Sequence, residues 1–181
     1  MSIDFSLTPE IEEIRSRVRA FIDDVVKPTE ARIQSEGLEH NDRDAYLHAL
    51  LDMRKQAYDS GLWLPHMPAE WGGMGLGHVE LAMVQAEAAK SYYGPWVLNC
   101  QAPDEGNMHT LLHWATDEQK QKYLKPLCDG YKRSCFAMTE PEVASSDATN
   151  IQARIVREGD EYVINGRKWW TSGAPDPRCK I

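Results

Sequence analysis

Two short segments hold the side chains with the most chemical potential. Phe136-Ala-Met-Thr-Glu-Pro-Glu-Val-Ala-Ser-Ser-Asp147 and Lys168-Trp-Trp-Thr-Ser172 each set hydroxyls and backbone amides beside aromatic groups. A flat, polar-rimmed, redox-active ring requires that combination: hydrogen bonds at its edge and apolar cover over its face. The same residues also suit an ordinary sheet core at Trp169 and Trp170 and ordinary turn chemistry in the Ser/Thr/Asp loop. Residue types alone leave both readings open.

Other candidate chemistry fails on spacing. Gly72-Gly-Met-Gly-Leu-Gly77 is rich in glycine, but a dinucleotide fingerprint would place its third glycine at His78 and would follow a strand, whereas here both flanks are helical in pattern. The stretch reads as a flexible connection between helices. His109 and His113, four apart, have the spacing of a two-histidine metal pair, yet no acid adjoins His109 and no third ligand is identifiable, so no metal site is expected. Ser145 and Ser146 lack the glycine-flanked elbow of a nucleophilic serine. Cys135, inside an apolar run, packs rather than reacts.

The elements that must position these segments follow from periodicity. Thr8-Pro9-Glu10 opens a helix, and Ile11, Ile14, Val18, Phe21, Ile22 and Val25 form one apolar stripe until Pro28 stops it. A second helix starts near Asn41 or Asp42 and ends at Gly61, and a third runs from about Val79 to Lys90. A further apolar set follows Asn107, and Thr116-Asp-Glu-Gln119 spells a capping box for a short helix closing at Gly130. From Ser134 the texture changes to strands: a run to Thr139, then Gln152 to Arg157, a turn at Glu158-Gly-Asp160, and Tyr162 to Ile164. Asn165-Gly166 is a strong hairpin signal, with Arg167 to Ser172 as the partner strand. The expectation is an α+β chain: an all-α helical domain over residues 1–131, then the start of an antiparallel β-barrel or sheet domain over 132–181.

Composition narrows the function classes. With 42% hydrophobic and 27% charged residues the chain can bury a core and stay soluble. With 20 Lys+Arg against 28 Asp+Glu, and no long basic run, it lacks the clustered cations of a nucleic-acid binder. No apolar stretch approaches the ~20 residues of a membrane span. Four cysteines without a CxxC pair indicate a reduced, intracellular chain, and Met1-Ser-Ile-Asp-Phe5 has no leader-like apolar region.

The order of motifs resembles the acyl-CoA dehydrogenase family. The matching residues are Phe5-Ser-Leu-Thr-Pro-Glu10, Pro68-Ala-Glu-Trp-Gly-Gly-Met-Gly75, Asp117-Glu-Gln-Lys120 with Tyr123-Leu-Lys-Pro-Leu127, Met138-Thr-Glu-Pro141, Ser146-Asp147 and Asn165-Gly-Arg-Lys-Trp-Trp-Thr-Ser172. The wording of Asn99 to Asp104 and of Glu142 to Asn150 is similar to the subgroup with kinase-fused animal members. One departure is plain. The family's loop runs Thr-Glu-Pro-Gly-Ala-Gly-Ser-Asp, whereas Glu142-Val-Ala-Ser145 stands here between Pro141 and Ser146, one residue longer and without either glycine.

The resemblance implies bound FAD and conversion of an acyl-CoA thioester to its trans-2-enoyl form, with electrons passed to an electron-transferring flavoprotein. Carried over by position, Phe136, Met138 and Thr139 line the flavin, and Thr139 donates to its pyrimidine edge. Thr171 lies near N5, Trp169 and Trp170 cover the ring face, and Ser145 and Ser146 contact the cofactor, Ser146 also on the CoA side. The family's catalytic base belongs to a C-terminal helical bundle absent from this chain. The expectation is therefore a form truncated before its base, with no catalytic residue of its own and inactive alone. Its parent would be a homodimer or homotetramer in the bacterial cytoplasm, or in mitochondria or peroxisomes if eukaryotic. Alternatives on the same residues are an acyl-CoA oxidase or flavin monooxygenase, and a non-catalytic helical interaction fragment.

Overall fold

The Thr8 hydroxyl accepts a hydrogen bond from the Ile11 amide, and Pro9 needs no amide partner at the first helical position, so α1 (Pro9–Phe21) begins at the expected signal. The computed structural model describes residues 7–181, and the leader-free reading of Met1 to Phe5 lies outside them. Pro28 does not stop the chain. A π turn over Ile22–Val26 widens the helix, the Lys27 amide bonds back to the Ile22 carbonyl, and α2 (Lys27–Glu36) continues through the proline. A regular turn would drive the proline ring into the carbonyl four residues back, and the wider turn relieves that clash. The same device recurs at Lys120–Leu124, just before Lys125 and Pro126, with the Lys125 amide bonded to the Lys120 carbonyl.

After the short α3 (Leu38–Asn41), α4 (Arg43–Asp59) is capped by Asp42, whose carboxylate accepts from the Ala45 amide at 3.0 Å. Its inner face buries Leu50, Met53 and Ala57. Arg54 is buried too, its guanidinium lying between the Trp63 and Trp96 rings and donating to the Trp96 carbonyl at 2.6 Å. The stacking explains how a cation sits in this core. Next come α5 (His78–Ala88), α6 (Gly94–Val97) and α7 (Asp104–Trp114). Buried Glu87 on α5 accepts from Arg19 on α1 at 2.7 Å and from Lys90. These bonds hold its carboxyl at about 2. The capping box closes as expected, with Thr116 accepting from the Gln119 amide and Gln119 accepting from the Thr116 amide, ahead of α8 (Asp117–Gln119) and α9 (Lys125–Cys128).

The glycine-rich connector is not a loose link. Over residues 64–76 the backbone bonds to itself: Met74 to the Leu64 carbonyl, Gly73 to Pro68, Gly75 to Met67 and Leu76 to Pro65, all within 3.1 Å. Its glycines permit close approach rather than flexibility.

The chain divides into two compact units, one ending at Gly130 and one spanning Tyr131–Ile181. In the second, β1 (Arg154–Glu158) pairs antiparallel with β2 (Glu161–Asn165), Val156 opposite Val163, around a turn at Gly159. Both strands are exposed along their whole length. Two strand expectations are corrected. Asn165 ends β2 opposite Arg154 instead of starting a hairpin, because Gly166 does not take the positive φ that such a turn requires. Gly166 instead presses on Ala153, where a Cβ would come within 2.6 Å of the alanine methyl. Residues 166–172 are irregular, and the expected strand from Ser134 to Thr139 does not form; the residue before it, Arg133, makes an isolated parallel bridge to Cys179. The outcome is a helical unit followed by a small antiparallel sheet, the α+β class expected. Among the described residues no helix is long and apolar enough to cross a membrane.

Candidate functional site

Every residue of the candidate ring site belongs to the unit Tyr131–Ile181. The two segments meet through backbone: the Trp169 amide donates to the Thr139 carbonyl at 3.0 Å. Phe136 is 64% exposed, Trp169 44% and Trp170 79%, and Thr139 is exposed as well. The Trp169 and Trp170 rings lie 5.8 Å apart at 60°. Met138 and Thr171 are half-buried.

Trp170 has φ 54, in the left-handed region that a bulky residue rarely occupies. Such a conformation costs about 1–2 kcal/mol, and strain of this kind gathers at ligand sites. Trp170→Gly is expected to leave stability unchanged or raise it by up to ~1 kcal/mol, after the entropy cost of glycine in the unfolded chain. Urea unfolding checks this, and a loss of more than that amount would show that the ring packs against the fold.

The loop between the segments is held from inside. Ser145, expected at the cofactor, is turned inward. Its hydroxyl accepts from the Glu140 amide at 2.7 Å and lies 3.2 Å from the Val143 carbonyl, and the residue is 6% exposed. Ser146 is exposed, and Asp147 accepts from the Thr149 amide and hydroxyl to start the turn at Ala148–Asn150. Ser145 and Asp147 thus hold the lengthened loop without the family's glycines.

Sequence reasoning gave no role to Glu140 or Lys168. Glu140, 6% exposed, accepts from the Gln152 amide at 2.8 Å, the Ala153 amide at 2.9 Å and the Lys168 ammonium at 2.8 Å. Those three donors, Lys168 foremost, hold its carboxyl at about 2. Lys168 also donates to the Met138 carbonyl at 2.8 Å. The sequence showed only an acid next to Thr139 and a lysine next to the tryptophan pair, not that the two meet. Beside this clasp lies an open hollow of about 440 Å³ whose lining includes Glu142, Arg154, Asn165 and Arg167. Its walls carry charges of both signs.

The histidines form a separate cluster in the helical unit. The His109 ring lies 5.2 Å from that of His66 and 6.3 Å from that of His113. Among the described residues no three His, Cys, Asp or Glu side chains form a metal-holding group.

Comparison with known proteins agrees with this architecture. Residues 8–131 match the family model described as acyl-CoA dehydrogenase, N-terminal domain, and residues 135–181 that of the acyl-CoA dehydrogenase middle domain. The chain belongs to the acyl-CoA dehydrogenase family. It is 42% identical over 180 residues to the human acyl-CoA dehydrogenase family member 11, covering 98% of this chain and 23% of that protein. A Mycobacterium abscessus structure described under the acyl-CoA dehydrogenase name superposes with a TM-score of 0.84 at 41% identity, over 97% of this chain and 45% of the other. A Mycobacterium smegmatis glutaryl-CoA dehydrogenase solved in complex with FADH2 shares the fold, with a TM-score of 0.64 at 21% identity, over 91% of this chain and 39% of the other. The chain thus spans less than half the length of these relatives.

Proposed function

We propose that this chain supplies the flavin-facing half of an FAD-dependent enzyme that desaturates acyl-CoA thioesters between the α and β carbons. The observation that carries the reading is that Phe136, Thr139, Trp169 and Trp170 are all exposed on two segments that the bond from the Trp169 amide to the Thr139 carbonyl joins. Bound FAD would supply the acceptance of a hydride from the substrate. The protein's part is to bind and orient. Phe136 and Trp169 offer apolar cover to a ring face, and the Thr139 hydroxyl offers a donor where negative charge gathers on the ring's pyrimidine edge. Thr171 offers a second hydroxyl on the adjoining segment, and exposed Ser146 offers one for a polar contact with a pyrophosphate or a CoA moiety. Electrons would leave to an electron-transferring flavoprotein, as the family resemblance implies.

Titration of the purified chain into FAD tests the reading. Quenching of flavin fluorescence at micromolar protein is expected, without reduction of an electron-accepting dye when an acyl-CoA is added. Absence of quenching at 100 μM protein, on the order of weak cofactor binding, would remove the flavin site from this chain. Dye reduction would show that it holds a proton-abstracting group of its own.

A further inference from the structure

We infer that Glu140 and Lys168 are positioning residues that hold the two cofactor-facing segments in one geometry. This rests on the flavin reading for its purpose, though not for its structure. The Lys168 ammonium bonds both the Glu140 carboxylate and the Met138 carbonyl, each at 2.8 Å, so one side chain ties the segment before Trp169 to the segment that presents Thr139. The Glu140 carboxylate meanwhile takes the Gln152 and Ala153 amides at 2.8 and 2.9 Å, anchoring the approach to β1. Three chain segments therefore converge on one carboxylate. Residues 136–140 and 166–172 contain no regular strand; a backbone bond from Trp169 to Thr139 joins the candidate ring-contact residues directly, and the other contacts between these segments are an exposed Arg167–Glu142 ion pair at 3.7 Å and the packing of Gly166 on Ala153 beside the end of the β1–β2 ladder.

A charged hydrogen bond inside a largely buried clasp is stronger and more directional than a neutral one. The Glu140 side chain is 6% exposed and that of Lys168 25%. Breaking one partner leaves the other charge poorly solvated, so removal costs more than the pair contributes. Neither side chain has to touch the cofactor. The pair fixes where the Thr139 hydroxyl and the Trp169 ring stand relative to each other.

The test compares the wild-type chain with Glu140→Gln, Lys168→Met and Lys168→Arg by amide hydrogen exchange and by FAD titration. In Lys168→Met the Trp169 amide should exchange at least tenfold faster, in Glu140→Gln the Gln152 and Ala153 amides should, and amides of the helical unit should serve as an unchanged reference. Lys168→Arg keeps the charge and should restore most of the protection. Flavin affinity should fall at least tenfold in the glutamine and methionine variants and recover in the arginine variant. Unchanged exchange at Trp169 in Lys168→Met overturns the clasp. Wild-type flavin affinity in that variant, with Trp169 deprotected, overturns its positioning role. A wild-type chain that binds no flavin sinks the functional reading instead, and the exchange data still decide the clasp. If Glu140→Gln unfolds the sheet unit, the contrast between the arginine and methionine variants decides between the two outcomes.

Discussion

The helical unit is expected to lose about 3 kcal/mol of stability between pH 7 and pH 4, and the His66→Phe variant to lose far less. His66 is 6% exposed, and neither ring nitrogen has a hydrogen-bond partner. Burial, with the neighbouring His109 adding to it, pushes its pKa down from 6.5 to about 4. The unfolded chain therefore takes up this proton first as the pH falls. The stabilising contribution is complete above 6.5 and is lost progressively from there down to about 4. At pH 7 the phenylalanine variant should match or exceed the wild type, because a buried ring N–H without a partner costs roughly 1–3 kcal/mol. Urea unfolding at pH 7, 5.5 and 4, followed by helical circular dichroism, separates the cases. Equal losses in both proteins would trace the acid sensitivity to other groups. Glu87 is distinguishable, since its contribution is lost only from 4.5 down to about 2.

Gly73→Ala should be of similar size. A methyl at Gly73 would stand 2.0 Å from the Met67 carbonyl oxygen and 2.7 Å from that of Leu64, both of them backbone. Neither oxygen can retreat cheaply, because Met67 O accepts from Gly75 and Leu64 O from both Met67 and Met74. Overpacking against fixed backbone costs about 3 kcal/mol, which lowers the melting temperature of a unit this size by roughly 10 °C. Gly106→Ala is the contrast. It lies within α7 with nothing within 4 Å of the added methyl, so alanine should stabilise by about 0.5–1 kcal/mol. Thermal melts of the two variants should move in opposite directions, and a neutral Gly73→Ala would mean that the connector yields.

Where a local signal had one physical meaning, the sequence was legible. Asp42 before α4 and Thr116 before α8 each have a side-chain acceptor at the right distance from unpaired amides, and both caps form. Glycine and proline were harder to interpret because each admits two causes. Pro28 was compatible with a stop or with a wide turn, and the packing of Ile22 and Val26 in the core selected the wide turn. Gly166 was compatible with a hairpin or with close contact, and Ala153 decided it. At the candidate site the aromatic and hydroxyl residues were visible as types. The clasp was not, because Glu140 and Lys168 are 28 residues apart and their meeting depends on tertiary structure.

The paired π turns have an evolutionary side. A π turn accommodates one residue more than a regular turn. Each of the two therefore marks a site where a codon can be gained or lost while the helix axis is kept. Shortening at Ile22–Val26 would rotate every later side chain of α2 by about 100°, and it would return the Pro28 ring to a carbonyl it now clears. Length and proline are thus coupled at both places: a relative with one residue fewer there should also have lost the proline.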